Sequence, residues 1–294
     1  MYKYMRDDLK DEYGLLKLQD KILEIAVYID KFCQENDIDY CLMGGSALGA
    51  KRHGGFIPWD DDLDIFMTVE AYEKFREKFK KEGNKKQFYL QEFGSIDGMI
   101  TLAKIRDNKT TYIESLYKEW NMHQGIFVDI FILHNCPDNF FKQCWQFFWA
   151  KYLITKGMSL KKYNRAYGIK KIILKIADLL PENFLISYAL KQVYRFKNIK
   201  SNHYCNFLGK AMFKNAIYEK EIFKKIEYCK FEKVQLKIPT KIEIFLRKRF
   251  GDYMKVPSPE KIKWEQHAEF WDVDNSFKKY IKTTSIFKDE VKLL

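Results

Sequence analysis

The sequence predicts an α+β fold: a mixed sheet with helices over residues 1–137, and a mostly helical portion, 138–294, packed on it. Three observations carry this. Leu15, Leu18, Ile22, Ile25, Ile29 and Phe32 recur at three- and four-residue steps, one buried helical face across 15–35. Short apolar runs then alternate with helical stretches up to the near-continuous GIFVDIFIL at 125–133. Beyond Pro137 the texture changes to Lys, Phe, Tyr, Leu and Ile at helical spacing.

Taken in order, the 15–35 helix ends at a polar turn, Asn36-Asp37, and a strand follows at 40–43. Gly44-Gly45-Ser46 closes that strand, and Ser46 suits the N-cap of a short helix. A loop with Gly54, Gly55 and Pro58 leads to a strand at 63–67 and a charged amphipathic helix at 69–81. Segments 88–93, 99–106 and 125–133 read as further strands, the last central. Residues 140–230 read as helical with a break at Pro181, and Val256-Pro257-Ser258-Pro259 as a turn before a helix near Trp264. Phe141–Tyr152 mixes aromatics with lysines as a membrane interface does. A buried amphipathic helix explains that segment as well and is preferred.

The chain has 294 residues, 47% hydrophobic and 31% charged, which excludes a disordered or collagenous polymer. Lys and Arg number 52 against 40 Asp and Glu, a formal charge of +12 that favours polyanionic company: nucleotides, nucleic acid or an anionic membrane face. Six scattered cysteines form no CxxC pair, the N-terminus lacks a signal-peptide run, and no stretch reads as a membrane span. The expected home is a reducing cytoplasm.

The chemistry concentrates in GGSALGAKRHGGFIPWDDDLDIFM, residues 44–67. At one end, Gly44, Gly45 and Ser46 follow a strand and open a helix, so backbone N–H groups and the positive helix end can face a phosphate. At the other, Asp62 and Asp64 alternate along a strand and share one face, about 6–7 Å apart. Two such carboxylates repel unless a cation lies between them, and Mg²⁺, with Mn²⁺ as the variant, suits an all-oxygen shell. A solvated acidic turn is the bland alternative. Asp129 lies in a run too apolar for a carboxylate that is not ligated, paired or protonated. If its strand neighbours that of Asp62 and Asp64, three catalytic carboxylates converge, the layout of metal-assisted phosphoryl or nucleotidyl transfer in which Asp129 helps deprotonate an acceptor hydroxyl. Pairing of Asp129 with a nearby Lys or Arg is the competing reading. Lys51, Arg52 and His53 lie between the turn and the acids, and Lys104 and Arg106 share a strand face. Arg52 and Arg106 stand evenly as phosphate ligands or structural partners.

These residues resemble the signature of the LicD family, within the nucleotidyltransferase superfamily that shares the DNA polymerase β core. The resemblance continues through Lys104-Ile105-Arg106-Asp107 with Thr110-Thr111, Gln124–Phe131, and Arg249–Met254 with Pro257, Pro259 and His267. It implies a metal-dependent cholinephosphotransferase that moves phosphocholine from CDP-choline to a sugar hydroxyl of a cell-surface glycan (a teichoic acid, lipopolysaccharide or capsule precursor), releasing CMP. Asp62 and Asp64 match the superfamily's metal-binding pair, Asp129 its third acid, and Gly45 and Ser46 its phosphate turn. The long gap from Ser46 to Asp62 leaves Asp60 as a further or substitute metal ligand. Some relatives move other phosphorylated groups. The implied setting is a lipid-linked acceptor at the inner face of the plasma membrane, with peripheral contact to anionic lipid. A quaternary ammonium is held by aromatic faces; Trp59, Trp120, Trp264 and Trp271 are the candidates, Trp59 because it adjoins the acids in sequence. His53 and His267 stand as acid, base or nucleotide contacts. A nucleotidyltransferase that uses an NTP on RNA, a small molecule or a protein is the alternative. No nucleic-acid-binding motif supports the RNA version.

Overall fold

The computed structural model describes residues 11–93, 101–114, 117, 122–160, 168–179, 182–258, 262 and 266–280. Helix α1 (Leu16–Glu35) buries Leu18, Ile22, Ile25, Ile29 and Phe32 as the periodicity requires. Leu15 offers no capping oxygen, and Asp11 accepts from the Leu15 and Leu16 N–H groups instead. Strand β1 (Cys41–Leu42) passes through Met43 into α2 (Gly44–Arg52), followed by β2 (Asp64–Thr68) and α3 (Val69–Glu82). Thr68 ends the strand and caps the helix, its Oγ1 accepting from Ala71 N at 3.2 Å. Strands β3 (Phe88–Gln91), β4 (Ala103–Asp107), β5 (Thr111–Glu114) and β6 (Phe127–Cys136) complete the first part.

The main sheet runs β1-β2-β6-β4-β3, with β2 parallel to β6 and the other pairs antiparallel. Strand β6 lies at the centre and buries nine of its ten residues, Phe131 being half-buried, which explains its near-continuous apolar run. The sequence reading missed β5, which pairs not with its sequence neighbours but with β11 (Ala268–Asp272), far along the chain.

The expectation that 138–294 is mostly helical holds only in part. Helices α4 (Phe140–Leu160), α5 (Gly168–Leu179) and α6 (Glu182–Tyr194) form one block. Strands β7 (His203–Cys205), β8 (Ile217–Glu219), β9 (Ile226–Phe231) and β10 (Val234–Pro239), helix α7 (Ile242–Phe250) and β11 then follow. The β9–β10 hairpin turns at Glu232-Lys233 with no Gly or Asn to announce it. Glu232 sits at φ +53°, held by its N–H to Gly54 O at 2.8 Å and by its carboxylate, which accepts from Phe56 N. Leu236, Ile238, Phe245 and Leu246 share one core with α1 and β2, so residue 137 does not separate two cores. A second core joins Cys136, Ala150, Leu153, Ala189, Val193, Phe207 and Ala216. The preferred burial of Phe141–Tyr152 is also corrected: Gln146 and Ala150 turn inward, but Phe141 and Phe148 are exposed.

His134, near the end of β6, is buried with both ring nitrogens lacking hydrogen-bond partners among the described residues and its ring edge-on to Tyr194 at 4.7 Å. Burial lowers its pKa to about 4. The unfolded chain therefore takes up a proton below its ordinary 6.5 that the fold refuses, so stability falls as pH drops through 6.5 towards 4. The loss is about 3 kcal/mol across that window. His134→Leu is expected to remove this part of the acid sensitivity, read as the variant's difference from the parent in urea unfolding at pH 7 and pH 4.5.

Candidate active site

Asp64 opens β2, and the parallel register sets it directly opposite Asp129 on β6. On the other side of β6, Asp129 faces Lys104 of β4, which faces Gln91 of β3. A polar row thus crosses four strands of the sheet. Lys104 Nζ stands 2.8 Å from Asp129 Oδ1, 3.8 Å from Glu114 Oε1 on β5, and 3.3 Å from the centre of the Phe127 ring. The Lys pairing considered for Asp129 is therefore real and accompanies the juxtaposition with Asp64.

The first turn of α2 wraps Asp64. Ser46 Oγ accepts from Asp64 N at 2.8 Å, and Met43 N donates to Asp64 O at 3.0 Å. Gly44 takes φ +54°, and a Cβ there would lie 3.2 Å from Asp64 Oδ2. A Cβ on Gly45 would lie 2.7 Å from Asp60 Oδ2. The glycine pair thus lets two carboxylates approach the helix start. Gly45→Ala should displace the Asp60 carboxylate and lower turnover about a hundredfold, the cost of a shift near 1 Å at a reacting centre, with an unchanged circular dichroism spectrum.

Asp62 lies two residues before Asp64, just ahead of the strand, with Leu63 buried between them. Burial, offset by His267 and reinforced by Asp129 and Asp61, pushes its pKa up to about 6. Burial together with Asp62 and Asp129 pushes Asp64 well above the carboxylate range, and burial raises Asp129 against the pull of Lys104. Asp64 Oδ1 is buried without a hydrogen-bond partner among the described residues. An orphaned carboxylate oxygen amid mutually repelling acids fits a hard cation.

The carboxylates do not form one tight cluster. Ligand atoms of Asp61, Asp62 and His267 all lie within 4.8 Å of one another, and no such grouping joins Asp62, Asp64 and Asp129 among the described residues. Asp61, passed over in the sequence, is the fastening point: its Oδ2 accepts from His267 N at 2.7 Å and Ala268 N at 2.8 Å, and its Oδ1 lies 3.1 Å from His267 Nδ1. That grip brings the C-terminal segment to the acids and sets His267 Nδ1 3.7 Å from Asp62 Oδ2. The hydrogen bond to Asp61 raises the His267 pKa, so its positive charge persists to higher pH. Lys210, exposed in the loop between β7 and β8, adds a positive field on Asp62 and Asp64. No motif marks it in the sequence.

Other expected phosphate ligands are engaged elsewhere. Arg52 is buried and donates to the carbonyls of Tyr253 and Lys255 and to His53 Nε2, tying α2 to the turn after α7. Arg106 is buried, donating to Gln91 Oε1 and Gly125 O over the Phe127 ring. Both take the structural alternative. Lys51, at the far end of α2, pairs with Glu243 of α7 at 3.6 Å. His53 packs edge-on to Trp59. Trp59 is 1% exposed, against Tyr13 and His53, and presents no open face to a quaternary ammonium. Trp271 is half-buried in β11, and Trp120 and Trp264 lie outside the described residues.

Residues 37–160 match the family model described as LicD/FKTN/FKRP, nucleotidyltransferase domain. The chain is similar to the lipopolysaccharide cholinephosphotransferase LicD of Haemophilus influenzae, 28% identical over 245 residues that cover 81% of this chain and 90% of that protein. It is also similar to the ribitol 5-phosphate transferase FKRP of Homo sapiens, 45% identical over 47 residues, 16% of this chain and 10% of that protein. The chain is a transferase. The match is to a LicD-family domain, and the blocks at 44–67, 104–111 and 124–131 that carry the resemblance all fall inside the matched span.

Proposed function

We propose that the chain transfers phosphocholine from CDP-choline to a sugar hydroxyl of a lipid-linked cell-surface glycan precursor, releasing CMP. The similarity to a lipopolysaccharide cholinephosphotransferase along most of both chains supports lipopolysaccharide as the first acceptor to try, with teichoic acid and capsule precursors next. The observation that carries the chemistry is the Asp64–Asp129 juxtaposition on parallel strands with an orphaned Asp64 oxygen. The reading takes the sheet around β2 and β6 as a nucleotidyltransferase core, and the inner membrane face as its place of work.

Asp64 and Asp129, juxtaposed across β2 and β6, would hold a Mg²⁺ or Mn²⁺ ion, with Asp62 and Asp60 at its edge. Such an ion neutralises the donor's diphosphate charge. The start of α2 offers its N–H groups and positive end to the same phosphates. His267, kept cationic by Asp61, and Lys210 supply the remaining positive charge. The acceptor oxygen forms the new bond to the choline-bearing phosphorus as the bond to CMP breaks. Asp129, its pKa raised by burial and its Oδ1 held by Lys104, receives the hydroxyl proton.

The test supplies CDP-choline, Mg²⁺ and a lipopolysaccharide acceptor, with CMP followed by chromatography. Acceptor-dependent CMP is the expected result. Pyrophosphate release from an NTP would transfer the chain to the nucleotidyltransferase alternative. The local similarity to a ribitol 5-phosphate transferase favours one second reading, with a polyol phosphate as the group carried. Turnover of CDP-ribitol in place of CDP-choline would select it.

A further inference from the structure

Helices α4, α5 and α6 turn more apolar surface outward than a solvated face requires. Helix α5 packs on α4, and Lys156 of α4 donates Nζ to Ala177 O at 2.8 Å. Leu174 and Ala177 are buried, whereas Ile169, Ile172, Ile173, Ile176 and Leu179 are 76%, 59%, 49%, 56% and 85% exposed. At one residue per 100° these five occupy an arc of about 120° on one side of the helix. Lys171 and Lys175, both exposed, border it. On α4, Phe141, Trp145 and Phe148 are exposed at four- and three-residue steps. The aromatic surface runs on to α6, where Tyr188 meets Trp149 at 5.0 Å and Phe184 is exposed.

Charge identifies what this face meets. Residues 140–200 hold thirteen Lys and Arg against two Asp and Glu, so this stretch carries +11 of the chain's +12. The other 233 residues are nearly neutral. An apolar stripe bordered by lysines, in a segment almost devoid of acids, complements a negatively charged lipid surface. No helix among the described residues is long and apolar enough to cross a membrane. We infer that the α4–α6 face is an in-plane docking surface for an anionic phospholipid bilayer: the isoleucines and phenylalanines enter the headgroup boundary and the lysines meet lipid phosphates.

A loop near the site is tied to this face. Lys151 of α4 donates to Gly209 O and Ala211 O at 3.1 and 3.3 Å, holding the loop that carries Lys210, whose charge acts on Asp62 and Asp64.

The experiment sediments the full chain with extruded vesicles of phosphatidylcholine, with and without one quarter phosphatidylglycerol, at low and high salt. Binding is expected to the anionic vesicles and to weaken with salt. Ile172→Ser with Ile176→Ser should weaken it about tenfold or more, and Lys171→Gln with Lys175→Gln by a similar factor with a flatter salt dependence. Both pairs are exposed, so melting temperatures should be unchanged. Vesicle binding that ignores these variants, binding equal on neutral vesicles, or a dimer in lipid-free buffer that the isoleucine variants dissolve would overturn the inference. Neither nucleotide nor acceptor is present, so the outcome is independent of the proposed transfer reaction.

Discussion

Asp64→Asn is expected to lower turnover about a thousandfold, the scale of removing a charge aimed at the reacting centre, while raising the melting temperature of the metal-free chain. The two effects share one cause. Asp64 is half-buried beside Asp62 and Asp129, with its Oδ1 buried and unpartnered among the described residues, so its charge opposes folding when no cation is present. Asparagine keeps the shape and discards the charge. The pH dependence follows the same logic. Asp62 titrates at about 6 in the fold against an ordinary 3.8, so the fold binds the proton more tightly than the unfolded chain. That contribution is full below about 4 and is lost as pH rises towards 6. Its sign is opposite to that of His134, and Asp62→Asn and His134→Leu separate the two in paired unfolding curves. A melting temperature lowered by Asp64→Asn would show that this carboxylate stabilises the metal-free fold.

Asp61→Asn is expected to act in the opposite sense, costing about 2–5 kcal/mol of stability. Asp61 is 1% exposed and accepts two consecutive backbone N–H groups besides facing the His267 ring. An amide at this position sets a donor against donors. The consequence reaches the site, because His267 loses the partner that chiefly raises its pKa. Urea unfolding reads the stability, and the His267 ring resonances, followed by pH, should show the pKa returning towards 6.5. An unchanged His267 titration would contradict the fastening role.

The elements that carry strong local signals were legible in the sequence. The α1 periodicity and the apolar β6 state their structure in residue choice alone, whereas α2 begins two residues before the Ser46 expected as its cap, at Gly44. The adjacency of the strands that carry Asp64 and Asp129 was legible too, but the three acids expected to converge form no tight grouping among the described residues. What escaped was whatever depends on remote partners. Strand β5 pairs only with β11, and the β9–β10 hairpin turns on Glu232 held by Gly54 and Phe56. Within Asp60-Asp61-Asp62, composition cannot tell which acid ties down a distant segment; only the position of His267 and Ala268 decides it. Trp59 shows the converse error. Adjacency in sequence suggested a ligand platform, whereas its bulk and apolar rings put it in the core. Arg52 and Arg106 bind carbonyls rather than open solvent because each is buried where main-chain acceptors need a donor.

The central claim is that the carboxylates around β2 and β6 bind a divalent ion. Mn²⁺ titration of the metal-free chain, followed by electron paramagnetic resonance at pH 7.5 without substrate, tests it most directly. The account predicts saturable binding in the parent chain, loss in Asp64→Asn and in Asp129→Asn, and retention in Arg52→Lys. Equal Mn²⁺ binding by the parent and both carboxylate variants would contradict it.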